Sequence, residues 1–230
     1  MKAALSIAFE NLRGKAGNVV IQGGRSGLVL RPRVTSRNPS TAAQQSIRSA
    51  MSKAAATYST LNSSQLAAWE NYANTQVKVN PVSGAVYHPS ANAAFVGLAT
   101  KFLQATPGGS IPTTPPSSAF AGDSVVVTVS ASEGAITFTA SRSNALGVTT
   151  ELLLQPLASP ARKPKFRDYR TQAFQVFALA PLTRTITVPA GYYAAAYRFV
   201  DVATGQASPL VPVAIIQHVT AVLEEEKRAA

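Results

Sequence analysis

A chain of 230 residues is long enough for one large domain or two small ones, and it is too short for a long multidomain enzyme. Hydrophobic residues make up 46% of the chain and charged residues only 13%, so it can bury a core and wholesale disorder is excluded. The 21 basic and 10 acidic residues give a net charge of +11, and the absence of cysteine excludes disulfides and thiolate metal sites.

The first predicted element is a β-hairpin close to the start of the chain. Residues 19–21 and 28–30 are short apolar runs, and the segment between them contains three glycines that suit a tight turn or a loosely held arm. No apolar run of the chain reaches the roughly 20 residues that a membrane-spanning helix needs, so we expect no membrane partner.

Three helices are predicted next. Thr41 with Gln44, and Asn62 with Gln65, have the spacing of capping boxes, which predicts that two helices begin there. A third helix is predicted over residues 90–103. Apolar residues recur at intervals of three and four along each helix. The predicted buried faces are Ile47, Met51, Ala54, Ala55 and Tyr58 in the first helix, Leu66, Trp69, Tyr72 and Ala73 in the second, and Ala94, Leu98 and Phe102 in the third.

The second half of the chain has the pattern of an all-β domain. Proline and glycine are concentrated in residues 107–118, which predicts a semi-extended linker. Seven short β-rich runs with turn signals between them then predict a β-sandwich. These runs are residues 124–130, 135–140, 150–155, 172–178, 185–188, 192–201 and 210–216.

The predicted fold class is therefore α+β, with four segments along the chain. Residues 1–106 form an extended basic arm or hairpin with short helices, and residues 107–118 form the linker. Residues 119–216 form the β-sandwich domain, and residues 217–230 form a C-terminal tail.

The positive charge is concentrated in the first half of the chain. Residues 1–106 contain eleven basic and two acidic residues, a net charge of +9, and residues 11–69 contain no acidic residue at all. An anionic partner is therefore expected to meet this half. The candidate partner-binding residues of the arm are Arg25, Arg31, Arg33 and Arg37, because guanidinium groups match carboxylate and phosphate geometry.

Three interpretations of the arm remain open. It can be a solvated basic strand, it can bind an acidic face of another protein, or it can bind nucleic acid. No aromatic residue lies between Glu10 and Tyr58, and this disfavours nucleic acid, since stacking rings usually accompany the charges.

A second basic cluster lies on a predicted loop of the sandwich. It contains two interleaved aromatic residues, Phe166 and Tyr169, which is typical of a polyanion contact. The loop can equally be a solvated segment that protects a sheet edge. Its candidate partner-binding residues are Arg162, Lys163, Lys165, Arg167 and Arg170.

The remaining candidates favour structural roles. Trp69, Tyr58 and Leu66 have the spacing of a helical core rather than of an aromatic binding platform. The two histidines, His88 and His218, lie 130 positions apart, and the acidic residues show no paired spacing. We therefore expect no enzyme activity, no metal site and no cofactor.

Several spaced motifs resemble a known family. They are Gly14-Lys15-Ala16-Gly17, then Arg31-Pro32-Arg33, then Asn38-Pro39-Ser40-Thr41-Ala42-Ala43-Gln44, and finally Leu61-Asn62-Ser63-Ser64-Gln65 leading to Trp69. In this order they resemble the N-terminal module of an uncharacterised family of virion-associated proteins from tailed bacteriophages and prophages. The resemblance covers about residues 14–103. The C-terminal half is more loosely similar to immunoglobulin-like and fibronectin type III domains.

This resemblance implies a non-enzymatic structural protein of a phage virion. The expected roles are capsid decoration or a head, neck or tail accessory, with attachment through the basic arm and the helices. The implied partners are other virion proteins, with homo-oligomers in the particle, and the implied location is the virion. Two alternatives stay open: a DNA- or polyanion-binding protein that uses the arm and the loop at 162–170, and a carbohydrate-binding tail-tip or adhesion module.

Overall fold

The computed structural model describes residues 2–3, 14–24, 27–34, 40–80, 84–132 and 134–218. The chain falls into two compact units, residues 1–42 and residues 43–230. Within the described residues, the first unit is a small antiparallel sheet, and the second unit contains three helices and a β-sandwich. The α+β fold class predicted from the sequence is confirmed.

The sheet of the first unit contains the predicted hairpin. Its strands are β1 (Lys2–Ala3), β2 (Gly14–Ala16), β3 (Val19–Gly24) and β4 (Gly27–Pro32), in the spatial order β1-β4-β3-β2. Strands β3 and β4 pair antiparallel up to Gly24 and Gly27. Gly17 connects β2 to β3 with a φ of +55°, a conformation that glycine adopts without strain.

Three helices open the second unit: α1 (Ala42–Ser59), α2 (Ser63–Thr75) and α3 (Ala91–Ala105). A two-stranded ribbon, β5 (Lys78–Val79) with β6 (Val86–Tyr87), lies between α2 and α3. The predicted capping box of α2 is confirmed, because the Asn62 side chain accepts from the Gln65 N–H at 2.9 Å and the Asn62 N–H donates to Gln65 Oε1 at 3.0 Å.

The helices share an aromatic core. Trp69 is 3% exposed and packs edge-on against Phe95, with their ring centroids 5.0 Å apart. The predicted apolar stripe of α1 is partly wrong. Ala54 is buried and Tyr58 is half-buried, as expected, but Ile47 and Met51 are more than 40% exposed, Ala55 is exposed, and Ala50 is buried without having been predicted. Helix α1 therefore contributes Ala54 and the half-buried Tyr58 to the helical core, whereas Ile47 and Met51 stay exposed.

All seven predicted strands of the sandwich are present, with ends shifted by at most three residues. One sheet has the order β10-β9-β12-β13 and the other has the order β11-β8-β7. The bounds are β7 (Val127–Ser132), β8 (Ala135–Ala140), β9 (Val148–Leu157), β10 (Arg170–Gln175), β11 (Thr183–Thr187), β12 (Gly191–Asp201) and β13 (Val211–His218).

The sandwich core lies between the two sheets. Alternate residues of β9 and β12, such as Leu152 and Phe199, face Ile136 and Phe138 of the opposite sheet. At the start of β12, the Tyr193 hydroxyl donates to the Pro189 carbonyl at 2.8 Å. A tyrosine that bonds back to the upstream backbone in this way is a tyrosine corner, a feature of immunoglobulin-like sandwiches.

The outer face of the four-stranded sheet is buried as well. Leu153, Leu157, Ala194 and Ala196 project away from the sandwich core and form a separate cluster with Tyr169. Strands buried on both faces lose the alternation of polar and apolar residues, and β9 and β12 accordingly contain unbroken apolar runs, Leu152–Leu154 and Tyr193–Tyr197.

Helix α3 packs closely on the turn that follows β12. Gly205 in this turn has a φ of +75°, and a Cβ atom there would lie 2.3 Å from the Leu98 carbonyl oxygen and 2.9 Å from the Phe102 nitrogen. Only glycine therefore permits this approach of the turn to the helix backbone.

The predicted linker 107–118 lies inside the second unit, which also holds the helices and the sandwich. The Trp69 Nε1–H donates to the Thr113 carbonyl at 2.8 Å, and the Gln206 side-chain amide donates to the Ser118 carbonyl at 3.1 Å. This segment is thus tethered to helix α2 and to the turn after β12. Of the predicted tail 217–230, the structure describes only residues 217 and 218, which end β13.

The contact at Gly205 predicts a large effect of a single methyl group. Gly205→Ala should lower the free energy of unfolding by about 3 kcal/mol, since it combines an unfavourable φ with a backbone clash. The matched control is Gly147→Ala, where φ is +78° and no atom lies within 4 Å of the new Cβ. That variant should lose only about 1 kcal/mol for the left-handed backbone. Urea denaturation measures both, and equal losses would contradict the close packing of α3 on the turn.

Candidate partner-binding surfaces

Two basic residues of the N-terminal sheet lie in one row across three strands. Lys15 of β2 pairs with Val20 of β3, and Val20 pairs with Arg31 of β4. Directly paired residues of antiparallel strands project from the same face of a sheet. With neighbouring strands about 4.8 Å apart, the Lys15 and Arg31 backbones are separated by roughly 10 Å.

Arg33 extends this row along the chain. Its N–H donates to the Asn18 carbonyl at 2.7 Å, which continues the pairing of β4 with the β2–β3 turn. Because side chains alternate along a strand, Arg33 projects from the same face as Arg31. Lys15, Arg31 and Arg33 are all exposed. We call these three residues the basic face.

The opposite face of the same sheet is apolar. Val19 and Ile21 of β3 and Leu30 of β4 alternate with the residues of the basic face and are half-buried. The three cations therefore project from one face of the sheet, with Val20 between Lys15 and Arg31, and can meet one partner together. The predicted binding residues Arg25 and Arg37 lie outside the described residues.

The second predicted cluster is a loop with an anchored backbone. The Lys165 N–H donates to the side-chain oxygen of Gln155 on β9 at 3.0 Å, and the Tyr169 ring packs in the outer cluster beside Leu153 and Leu157. Between these two anchors the chain makes one turn of 3-10 helix, Phe166–Asp168. We call residues 162–170 the basic loop.

The basic loop displays its charges to solvent. Its sole acid, Asp168, lies 3.7 Å from the Arg167 guanidinium. The Arg170 Nη1–H donates to the backbone carbonyls of Arg167 and Tyr169, at 2.9 Å and 3.1 Å. Phe166 is 72% exposed, so one aromatic ring stands among the cations. The exposed cations are Arg162, Lys163, Lys165, Arg167 and Arg170.

The residues predicted to have structural roles belong to the packed cores. Tyr58 and Leu66 pack against the helical core that contains Trp69. In the sandwich, Tyr193 and Tyr197 are each less than 10% exposed. These rings stabilise the cores and do not offer the exposed platform that a carbohydrate-binding module would need.

The structure also brings together a buried charge cluster that the sequence did not reveal. The side chain of Glu151 on β9 is fully buried on the outer face of the sheet. Lys101 of α3 donates to both of its oxygens at 3.0 and 3.1 Å, and Arg198 of β12 donates through Nε at 2.6 Å and through Nη2 at 3.2 Å. Thr171 of β10 adds a further hydrogen bond at 2.5 Å.

This cluster favours the ionised form of Glu151. Burial by itself would raise the pKa of the carboxyl, but the hydrogen bond from Arg198 and the charges of Lys101 and Arg198 outweigh it and lower the pKa. Burial lowers the pKa of Lys101 more than its attraction to Glu151 raises it. The carboxylate is therefore the charge that holds two cations from different elements.

A weak signal for the cluster exists in the sequence. Glu151 directly precedes the apolar run Leu152–Leu154, Arg198 lies between Tyr197 and Phe199, and the two charged residues pair directly across β9 and β12. A buried charge needs a partner, so the cross-strand pair could have been predicted once the strand order was known. Nothing in the sequence indicated Lys101, because it belongs to a helix 50 positions away.

Among the described residues, no three His, Cys, Asp or Glu side chains come together as metal ligands would. His88 places its Nδ1 atom 2.8 Å from the Gln76 carbonyl oxygen. None of the helices, within the described ranges, is long and apolar enough to span a membrane.

Comparison with known proteins assigns no family. No protein-family model matches the chain, and no curated protein matches its sequence significantly.

The Glu151 cluster predicts a loss of stability when its negative charge is removed. Glu151→Gln keeps the shape of the side chain but leaves Lys101 and Arg198 facing each other without a counter-charge. We expect the free energy of unfolding to fall by about 3 kcal/mol. Glu70→Gln is the matched control, because Glu70 is exposed on α2 and the change in charge is the same. Urea denaturation at neutral pH measures the difference.

The same variant should change the pH dependence of stability. Because the folded pKa of Glu151 is lowered, its contribution is fully present above the unfolded pKa of about 4.3 and is lost as the pH falls through the folded value. The Glu151→Gln variant lacks this contribution, so its stability should fall less steeply on acidification than that of the wild type. Parallel acid profiles would show that the carboxylate is not the stabilising charge.

Proposed function

We propose that this protein is a non-enzymatic structural component of a tailed-phage virion, acting as a capsid decoration protein or as a head, neck or tail accessory. The observation that carries the proposal is the basic face. Lys15, Arg31 and Arg33 project together from one side of a sheet in a compact unit of its own. Such a surface suits attachment to a large, negatively charged partner.

The motif order of residues 14–69 supports a virion role, since it resembles that of virion-associated phage proteins. In this proposal the sandwich is an appended immunoglobulin-like module, and its tyrosine corner at Tyr193 favours that assignment. The partners are other virion proteins, and the location is the particle.

The mechanism is multivalent surface burial. A single basic face offers only three cations, and exposed ion pairs each contribute about 1 kcal/mol or less. Copies arranged by the symmetry of a particle bind together, so that the avidity exceeds the affinity of one copy.

Reversing the charge of the basic face tests this attachment. Tagged protein is produced during growth of the phage that encodes it, and the tag is quantified in purified particles. The double variant Arg31→Glu with Arg33→Glu should leave roughly ten-fold fewer copies per particle, because like charges then face the partner. Lys78→Glu with Arg184→Glu makes the same change in charge at exposed sites of the second unit and should incorporate normally. Absence of the wild-type tag from particles would overturn the proposal.

The salt response separates attachment to a protein from binding to DNA. If the basic face bound duplex DNA through its three cations, the logarithm of the affinity would fall with the logarithm of the salt concentration with a slope of about −3. Attachment to a protein lattice that also buries apolar surface should fall less steeply. Fluorescence anisotropy with a labelled duplex, and sedimentation with particles, measure the two slopes. If the affinity for DNA shows the steep slope and the protein does not bind particles, the DNA-binding alternative is favoured.

A further inference from the structure

The basic loop presents an aromatic ring that the fold does not use. Phe166 is 72% exposed, although its neighbours Lys165 and Tyr169 are both anchored to the outer face of the sheet. An exposed phenylalanine contributes nothing to the core, and the anchors on both sides hold its 3-10 turn in place. The ring is therefore displayed on a preorganised support.

Cations stand on both sides of this ring in the chain. Lys165 precedes Phe166 and Arg167 follows it, and both side chains are exposed. Further along the loop, Arg170 is held by hydrogen bonds to two backbone carbonyls. The loop thus alternates positive charge and aromatic surface, as a nucleic-acid strand alternates phosphates and bases.

We propose that the basic loop is a contact site for single-stranded nucleic acid. An unpaired base stacks on the Phe166 ring, and the phosphates on either side of it pair with Lys165 and Arg167. Stacking is available to every base, so the contact is tolerant of sequence. A duplex keeps its bases inside its own stack and cannot offer one to the ring. The site lies on the second unit and does not depend on the proposed virion role.

The composition of the loop favours this partner over two others. Membrane-surface binding grows with the buried apolar area, and here a single ring is exposed, since Tyr169 is buried and Pro164 is half-buried. An acidic protein surface would satisfy the cations but would give an isolated ring no specific role. Nucleic acid uses both the ring and the charges.

The test compares two probes that share phosphates but differ in bases. The protein used is the full chain with Arg31→Glu and Arg33→Glu, because these changes weaken competing contacts at the basic face. It is titrated into a labelled oligo(dT) of about 12 nucleotides and, separately, into inorganic polyphosphate. When Phe166→Ala is added to this protein, oligo(dT) binding should weaken by about five-fold or more, because one stacked base is lost. Its binding to polyphosphate should not change. Leu179→Ala is the control, since Leu179 is 87% exposed and lies outside the loop.

A second variant gives an independent reading. In the same Arg31→Glu, Arg33→Glu protein, Phe166→Trp should bind oligo(dT) at least as tightly as Phe166 does. The fluorescence of the new tryptophan should be quenched when a base stacks on it, whereas the buried Trp69 should not respond. Equal binding of oligo(dT) by the Arg31→Glu, Arg33→Glu protein with and without Phe166→Ala would overturn the proposal. The proposal would also be overturned if the protein bound phosphatidylserine vesicles through Phe166 and did not bind oligo(dT).

Discussion

The carboxylate of Glu151 is completely buried on the outer face of the sandwich, where Lys101 of helix α3 and Arg198 of strand β12 bring two positive charges to it. Removing an ion from water costs several kcal/mol, and this cost is offset only when the ion is paired and its hydrogen bonds are satisfied. The helix supplies part of that compensation. The sheet therefore cannot bury Glu151 in this way unless α3 is docked, and docking couples the helical layer to the sandwich.

Strand β9 contacts three parts of the second unit: the sandwich core, helix α3 and the basic loop. One set of alternating side chains, including Leu152 and Leu154, fills the sandwich core. On the other face, Glu151 accepts hydrogen bonds from Lys101 of helix α3, Gln155 accepts the Lys165 N–H of the basic loop, and Leu157 packs in the cluster that contains Tyr169. Because a strand alternates its side chains, a change of register by one residue would exchange these roles. The position of the basic loop therefore depends on the same register that positions the charge cluster.

The two charged surfaces differ in how they are supported. The basic face belongs to a small sheet whose cations are exposed and whose opposite side is apolar. The basic loop is fixed to a large body through hydrogen bonds and a buried tyrosine. A surface that acts through summed charge tolerates variation in position, whereas stacking on one ring requires a defined orientation. This difference matches the two roles proposed for them: attachment by the basic face and a specific contact by the basic loop.

Local patterns were enough to predict the hairpin, the three helices, the capping box at Asn62 and the seven strands, because caps, turns and periodicity act over a few residues. The same patterns misassigned part of the buried face of α1, because Ile47 and Met51 are exposed and the unpredicted Ala50 is buried. The pairing of Lys101 with Glu151, the burial of both faces of β9 and the need for glycine at position 205 were decided only by tertiary structure. Each of these depends on an element that is distant in the chain. A local sequence pattern does not specify which distant segment packs against a given residue.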